Sequence, residues 1–116
     1  MTRASKRLGD EGEDRAAAWY RREGYEVVAR NWRCRDGELD LIVARGATLV
    51  ICEVKTRRSL DYGHPAEAVT AAKQARIRRL ATRWLAETGS RSSAATIRFD
   101  VAAVLPEDVS VIEGAF

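Results

Sequence analysis

Asp40 interrupts an apolar run, Leu39-Asp40-Leu41-Ile42-Val43, and Glu53-Val54-Lys55 closes another, Leu49-Val50-Ile51-Cys52. Side chains alternate along a strand, so Glu53 and Lys55 share one side, with Val50, Cys52 and Val54 on the other. Between the runs lies Arg45-Gly46-Ala47, a turn signal. A hairpin about Gly46 sets Asp40 and Glu53 against each other across the ladder. Two carboxylates placed there repel, and burying them without a counter-ion is costly. A divalent cation resolves the conflict. Mg²⁺ or Mn²⁺ prefers oxygen ligands, and Mg²⁺ commonly takes one or two protein carboxylates together with waters and phosphate oxygens. Such an ion acidifies a bound water and stabilises charge on a phosphodiester in flight. Lys55 beside it would orient the water or stabilise the transition state. The plain alternative is a surface ion pair worth little, but solvated pairs rarely sit in strands this apolar.

Two further positions could serve that chemistry. Lys73 falls inside the apolar stripe Val69, Ile77, Leu80, Trp84 of a long helical segment. Either its stem snorkels to the rim or its ammonium lies near the carboxylates or a phosphate. Gln74 and Arg76, close by on the same segment, are candidates for contact with a nucleic-acid backbone. Glu13 follows Gly12, which would let its helix approach a neighbour closely at a cost in helix propensity. The acid could reach a metal, or it could be a first-turn residue favoured by the helix dipole.

These residues need a scaffold, and the chain reads as one domain, residues 1–116, with 1–7 as a flexible lead. A helix is predicted from about Leu8 to Glu23, because Leu8, Gly12, Ala16 and Trp19 recur at helical spacing and Gly24 can stop it. Tyr25–Trp32, Gly37–Arg45 and Thr48–Thr56 read as strands, and their short links favour an antiparallel meander. Pro65 is placed to open a second helix that runs to about Thr88 and ends at Gly89. Strands follow at Thr96–Leu105 and, after Pro106-Glu107-Asp108, at about Val109–Gly114. The order α-β-β-β-α-β, with a final β, predicts an α/β domain in which one mixed central sheet is flanked by helices.

Composition narrows the classes. The chain has 116 residues, 46% hydrophobic and 32% charged, enough for a core without staples. It shows no apolar run of bilayer length and no secretory pattern at its start, so no membrane partner is expected and a cytoplasmic setting is. Cys34 and Cys52, with a single histidine, make no zinc motif and read as reduced thiols. The net charge is only +3, yet cations cluster as Arg30, Arg33, Arg35, then Lys55, Arg57, Arg58, then Lys73, Arg76, Arg78, Arg79, Arg83. Arginine grips phosphate bidentately, so these clusters suit nucleic acid as well as an ordinary solvated surface. Asp100 in Arg98-Phe99-Asp100-Val101 reads as an ion pair or hydrogen bond holding the sheet, with a catalytic role as the other option. His64 reads as loop structure, Trp32 as core or rim packing, and Tyr62 as a base-stacking candidate.

Taken together, these blocks resemble the PD-(D/E)xK nuclease superfamily. The nearest likeness is the YraN-like bacterial family, related to archaeal Holliday-junction resolvases. The resemblance runs through Gly12-Glu13-Asp14, Gly24-Tyr25, Ala29-Arg30-Asn31-Trp32-Arg33, Gly37-Glu38-Leu39-Asp40-Leu41-Ile42 and Glu53-Val54-Lys55-Thr56-Arg57. It continues through Pro65-Ala66-Glu67-Ala68-Val69, Lys73 and Arg98-Phe99-Asp100-Val101 to Ala115-Phe116. It implies a restriction-endonuclease-like core. It also implies metal binding at Asp40 and Glu53 with Glu13 contributing, catalysis by Lys55, and a helix lysine or glutamine matching Lys73 or Gln74. Leu39 stands where the superfamily name has proline. The expected activity is a Mg²⁺- or Mn²⁺-dependent endonuclease cutting DNA, including branched DNA, with Arg33, Arg57, Arg58, Lys73, Gln74 and Arg76 on the backbone. A homodimer would match a two-fold junction. The alternatives are a silent DNA-binding module and a protein-interaction module on the same fold.

Overall fold

The computed structural model describes residues 3–59, 63, 65–89 and 96–116, so Tyr62 and His64 lie outside the described residues. Helix α1 spans Arg3–Arg22, and strands β1 Glu26–Cys34, β2 Gly37–Arg45 and β3 Thr48–Thr56 follow. A 3-10 turn at Pro65–Ala68 precedes helix α2, Ala71–Thr88, and strands β4 Thr96–Leu105 and β5 Asp108–Ile112 complete the order. The five strands form one sheet in the order β1-β2-β3-β4-β5. All neighbours are antiparallel except β3 and β4, which run parallel after the crossover through α2. This is the mixed sheet flanked by helices expected of a restriction-endonuclease-like layout.

Local chemistry explains most boundaries. Gly37 at φ 145° and Gly46 at φ 58° turn the meander, where a side chain would be strained. Helix α2 starts six residues later than Pro65 suggests. Thr70 takes an extended backbone, and its Oγ1 accepts the Lys73 N–H at 3.3 Å, so Thr70 is the cap and the proline opens only the short turn before it. Gly89 closes α2 in the left-handed region, donating its N–H to Leu85 O. Helix α1 reaches back to Arg3, further than its apolar stripe.

Each face of the sheet carries its own core. Ala16, Ala17 and Tyr20 of α1 pack on Leu41, Val43, Val50, Cys52, Ala102 and Val104. Ile77, Leu80, Ala81, Trp84 and Leu85 of α2 pack on Leu39, Ile42, Leu49, Ile51, Phe99 and Val101. Trp32 packs against the rim of the α2 core. The alternation along β2 breaks at Asp40, since Leu39 and Leu41 belong to opposite faces. Asp100 is fully buried and ties the layers together. It accepts the Tyr20 hydroxyl at 2.6 Å, two Arg98 N–H groups at 2.8 and 2.9 Å, and the Gly114 N–H at 3.0 Å. That is the sheet-holding role expected of it. Burial, then Cys52 and Asp100, raise the Tyr20 pKa far above the usual tyrosine value. No helix among the described residues is long and apolar enough to cross a membrane.

Candidate active site

The β2–β3 ladder is in register from Arg45↔Thr48 to Leu41↔Cys52 and ends there. One step further, Asp40 and Glu53 stand opposite each other, as the hairpin reading requires. The strands no longer share main-chain bonds at this point. Instead the Val54 N–H donates to Asp40 Oδ2 at 2.9 Å. Glu53 follows Ile51 onto the α2 side of β3, and Lys55 follows Glu53. Lys55 Nζ lies 3.4 Å from Glu53 Oε1, and Lys73 Nζ reaches the same oxygen at 3.7 Å from the first turn of α2. Of the two readings of Lys73, the structure shows the one that puts its ammonium at the carboxylates.

The electrostatics are strained in the sense the residue types imply. Burial, then the Glu53 charge, push Asp40 up from 3.8 to about 7, with the Val54 N–H pulling the other way. Lys73 is held below the usual lysine value, first by its hydrogen bond with Lys55 and then by burial. Glu13 is raised chiefly by burial, opposed by a hydrogen bond from the Asn31 side chain and by Arg30. Its Oε1 is buried with no hydrogen-bond partner, and the nearest charge, Arg30, stands 3.8 Å away.

Helix α1 comes close enough to contribute Glu13 because Gly12 lies against β3. A Cβ there would overlap the Thr56 side chain. An open cleft of about 850 Å³ results, and Glu13, Glu38, Asp40, Glu53, Lys55, Lys73, Arg57 and Arg58 are among its lining residues. A second depression shares Asp40, Glu53 and Lys73 and extends to Arg76. The other expected contacts sit elsewhere. Gln74 donates to Val69 O at 3.1 Å and serves the start of α2, and it does not line the cleft. Arg33 is an exposed partner of Glu38 at 2.9 Å. Glu38 and Asn31 are participants the sequence did not single out. Their neighbours in the Gly37-Glu38-Leu39-Asp40 and Arg30-Asn31-Trp32 blocks were the only hint.

Among the described residues, no three His, Cys, Asp or Glu side chains are grouped tightly enough to form a ready-made metal cage. Glu13 therefore lines the same cleft without closing a three-carboxylate set. The donors present still suit a hard cation that keeps most of its water. Asp40 and Glu53 are opposed carboxylates, Asp40 raised by burial and then by the Glu53 charge, and an unsatisfied Glu13 oxygen lies on the same cleft. Magnesium needs only one or two such ligands when substrate oxygens and waters supply the rest.

Comparison with known sequences places this site in a family. Residues 12–104 match the model of the uncharacterised protein family UPF0102. A UPF0102 protein of Beutenbergia cavernae is 58% identical over 103 residues, 89% of this chain and 86% of the relative. One from Parafrankia sp. is 56% identical over 105 residues, 90% and 87% of the two chains. One from Frankia casuarinae is 54% identical over 119 residues, 98% and 99% of the two chains. The match spans α1 through β4 and includes Glu13, Asp40, Glu53, Lys55 and Lys73, and the chain belongs to the UPF0102 family, the YraN-like family its sequence resembles.

Proposed function

We propose that the protein is a metal-dependent endonuclease that hydrolyses DNA phosphodiester bonds, including those of branched DNA. The observation that carries this reading is the opposed pair Asp40 and Glu53, with Lys55 and Lys73 both within 4 Å of one Glu53 oxygen, in an open cleft. A purely structural role has no use for a carboxylate raised by burial and by an opposed carboxylate at an open cleft.

Asp40 and Glu53 would hold Mg²⁺ or Mn²⁺, which when bound supplies an acidified water and offsets charge on the phosphate. Asp40, a residue of the cleft lining, is oriented by the Val54 N–H, which commits one of its oxygens. Lys55 stabilises the charge that builds on the phosphoryl oxygens. Lys73 neutralises Glu53 before substrate arrives and shifts toward phosphate when it does. Glu13, in the same cleft lining, would orient water there. Arg57 and Arg58 in the cleft lining, and Arg76 in the adjoining depression, give phosphates beside the scissile bond a cation to meet.

The test is cleavage of labelled flap, junction and linear DNA with Mg²⁺ or Mn²⁺, beside Asp40→Ala and Lys55→Ala. Cutting by the wild type, lost in both variants with DNA binding retained, is the expected result. Cutting that persists in both variants points to a contaminant and overturns the reading. Binding without cutting by the wild type under every ion tried leaves a DNA-binding module instead.

A further inference from the structure

Helix α2 carries Lys73, Arg76, Arg78, Arg79 and Arg83 against one acid, Glu87. An ordinary solvated helix offsets such charge with acids three or four residues away, and α2 has one such pair, Arg83 with Glu87 at 3.5 Å. Arg78 lies over the Phe99 ring at 4.5 Å, against the apolar core. Arg76 and Arg79 are exposed and form no ion pair among the described residues. Lys73, Arg76, Arg79 and Arg83 follow one another at helical spacing, so they share a face that runs for about 15 Å away from the carboxylates.

That face borders a groove that continues the cleft. The depression holding Asp40, Glu53 and Lys73 extends to Arg76 and Leu80, and a further one is lined by Arg76, Leu80, Arg79, Arg83 and Asp36. Shared residues thus join the cleft and the two depressions in series. The wall facing α2 is the β1–β2 turn. Gly37 lets this turn lie on the helix, since a Cβ there would come within 3.1 Å of Leu80 Cδ1. Asp36 of the same turn holds Arg83 at 2.9 Å, an exposed ion pair across the groove. No aromatic side chain lines the series among the described residues, so the groove offers no platform for unpaired bases. What it offers is guanidinium groups, which grip phosphate bidentately.

We propose that Arg76, Arg79 and Arg83 form a phosphate track along α2 that holds a paired arm of the DNA beside the scissile bond, with Asp36 occupying Arg83 until a phosphate displaces it. The inference deepens the nuclease reading by giving the same cleft a duplex arm as substrate, and it rests on that reading for what happens to the DNA. At the axial rise of one duplex strand, the face spans roughly four phosphates. Such a track reads charge and backbone geometry, not sequence.

Fluorescence anisotropy in EDTA, across a salt series, measures binding of a labelled duplex and of its single strand without cleavage. The wild type is compared with Arg79→Ala, Arg76→Ala/Arg79→Ala and Asp36→Asn. Arg21→Ala and Glu26→Gln make the same changes of charge at exposed positions outside the groove. An exposed ion pair adds little stability, so Asp36→Asn stays folded, and circular dichroism checks every variant. Duplex should bind more tightly than single strand. Arg79→Ala should weaken duplex binding about tenfold and lower the slope of log affinity against log salt by about one, and the double variant should lower it by about two. Asp36→Asn removes a competitor for Arg83 and should tighten duplex binding roughly two- to fivefold. Arg79→Ala no weaker than Arg21→Ala, or Asp36→Asn no tighter than Glu26→Gln, overturns the track and leaves the nuclease reading standing. Single strand bound as tightly as duplex overturns the paired arm. The expected binding changes, with no cutting under Mg²⁺ or Mn²⁺, overturn the nuclease reading and leave the track.

Discussion

Asp40 takes the Val54 main-chain N–H through its side chain, at 2.9 Å, just past the last rung of the β2–β3 ladder. A carboxylate thus stands in for a strand carbonyl. It holds the two strands in register while their main chains part, and the cleft opens in the gap.

That bond does not cancel the effect of Glu53, which leads to a stability prediction. The Asp40 pKa is about 7 in the folded protein against 3.8 for the free group. The folded state therefore binds the proton more tightly than the unfolded one between those values. Stability from this group is fully present near pH 4 and is lost as pH rises through about 7. The loss should be on the order of 2 kcal/mol once solvent screening at the cleft is allowed for. Asp40→Asn removes it. Melting curves in EDTA should show the variant gaining on the wild type as pH rises from 4 to 8. With 10 mM Mg²⁺ the order should reverse, because only the wild type gains from ion binding.

Lys55 and Lys73 share one oxygen but should not share a role. Lys55→Met is expected to lower kcat by about 10²–10³-fold with little change in DNA affinity. Lys73→Met should weaken both by roughly tenfold, since Lys73 sits at the join between the two depressions. Single-turnover cleavage together with equilibrium binding separates the two. Identical effects in both variants would contradict the division of labour.

Gly12 is required by space. Gly12→Ala should destabilise the protein by about 1–3 kcal/mol in urea unfolding, because the new methyl overlaps Thr56 and α1 must back away. Glu13 moves with it, so Mn²⁺ affinity should fall too. Adding Thr56→Ala should recover part of both losses. No recovery would mean the contact is not the cause.

Asp100 supports the fold from outside the cleft. Asp100→Ala leaves Arg98, Tyr20 and the Gly114 N–H without their acceptor, at about 3–5 kcal/mol. Fluorescence-detected unfolding measures this directly. The fraction that remains folded should cut DNA at the wild-type rate.

The sequence carried the reactive hairpin well, and there is a physical reason. Register in a hairpin is set locally, so a turn at Gly46 and two apolar runs suffice to oppose Asp40 and Glu53. Lys73 was visible because a cation in an apolar stripe demands an explanation. Gln74 is less legible for the opposite reason. Its amide is consumed by the backbone of its own helix start, a use that competes with any ligand and leaves no trace in spacing. Thr70 outbid Pro65 for the cap of α2 in the same local way. The Arg30–Asp14 ion pair could not be read at all, since it joins β1 to α1 through tertiary approach. The broken alternation at Asp40 is likewise a property of two strands together.

The parallel pairing of β3 with β4 sets an order of events at the ribosome. Thr48 must wait for Thr96, with all of α2 between them. A nascent chain therefore exposes both carboxylates and Lys55 before Lys73 emerges from the ribosome. Only when the crossover has docked does the acidic pair acquire its second cation. Until the crossover docks, the repelling half of the cleft stands without the half that quiets it.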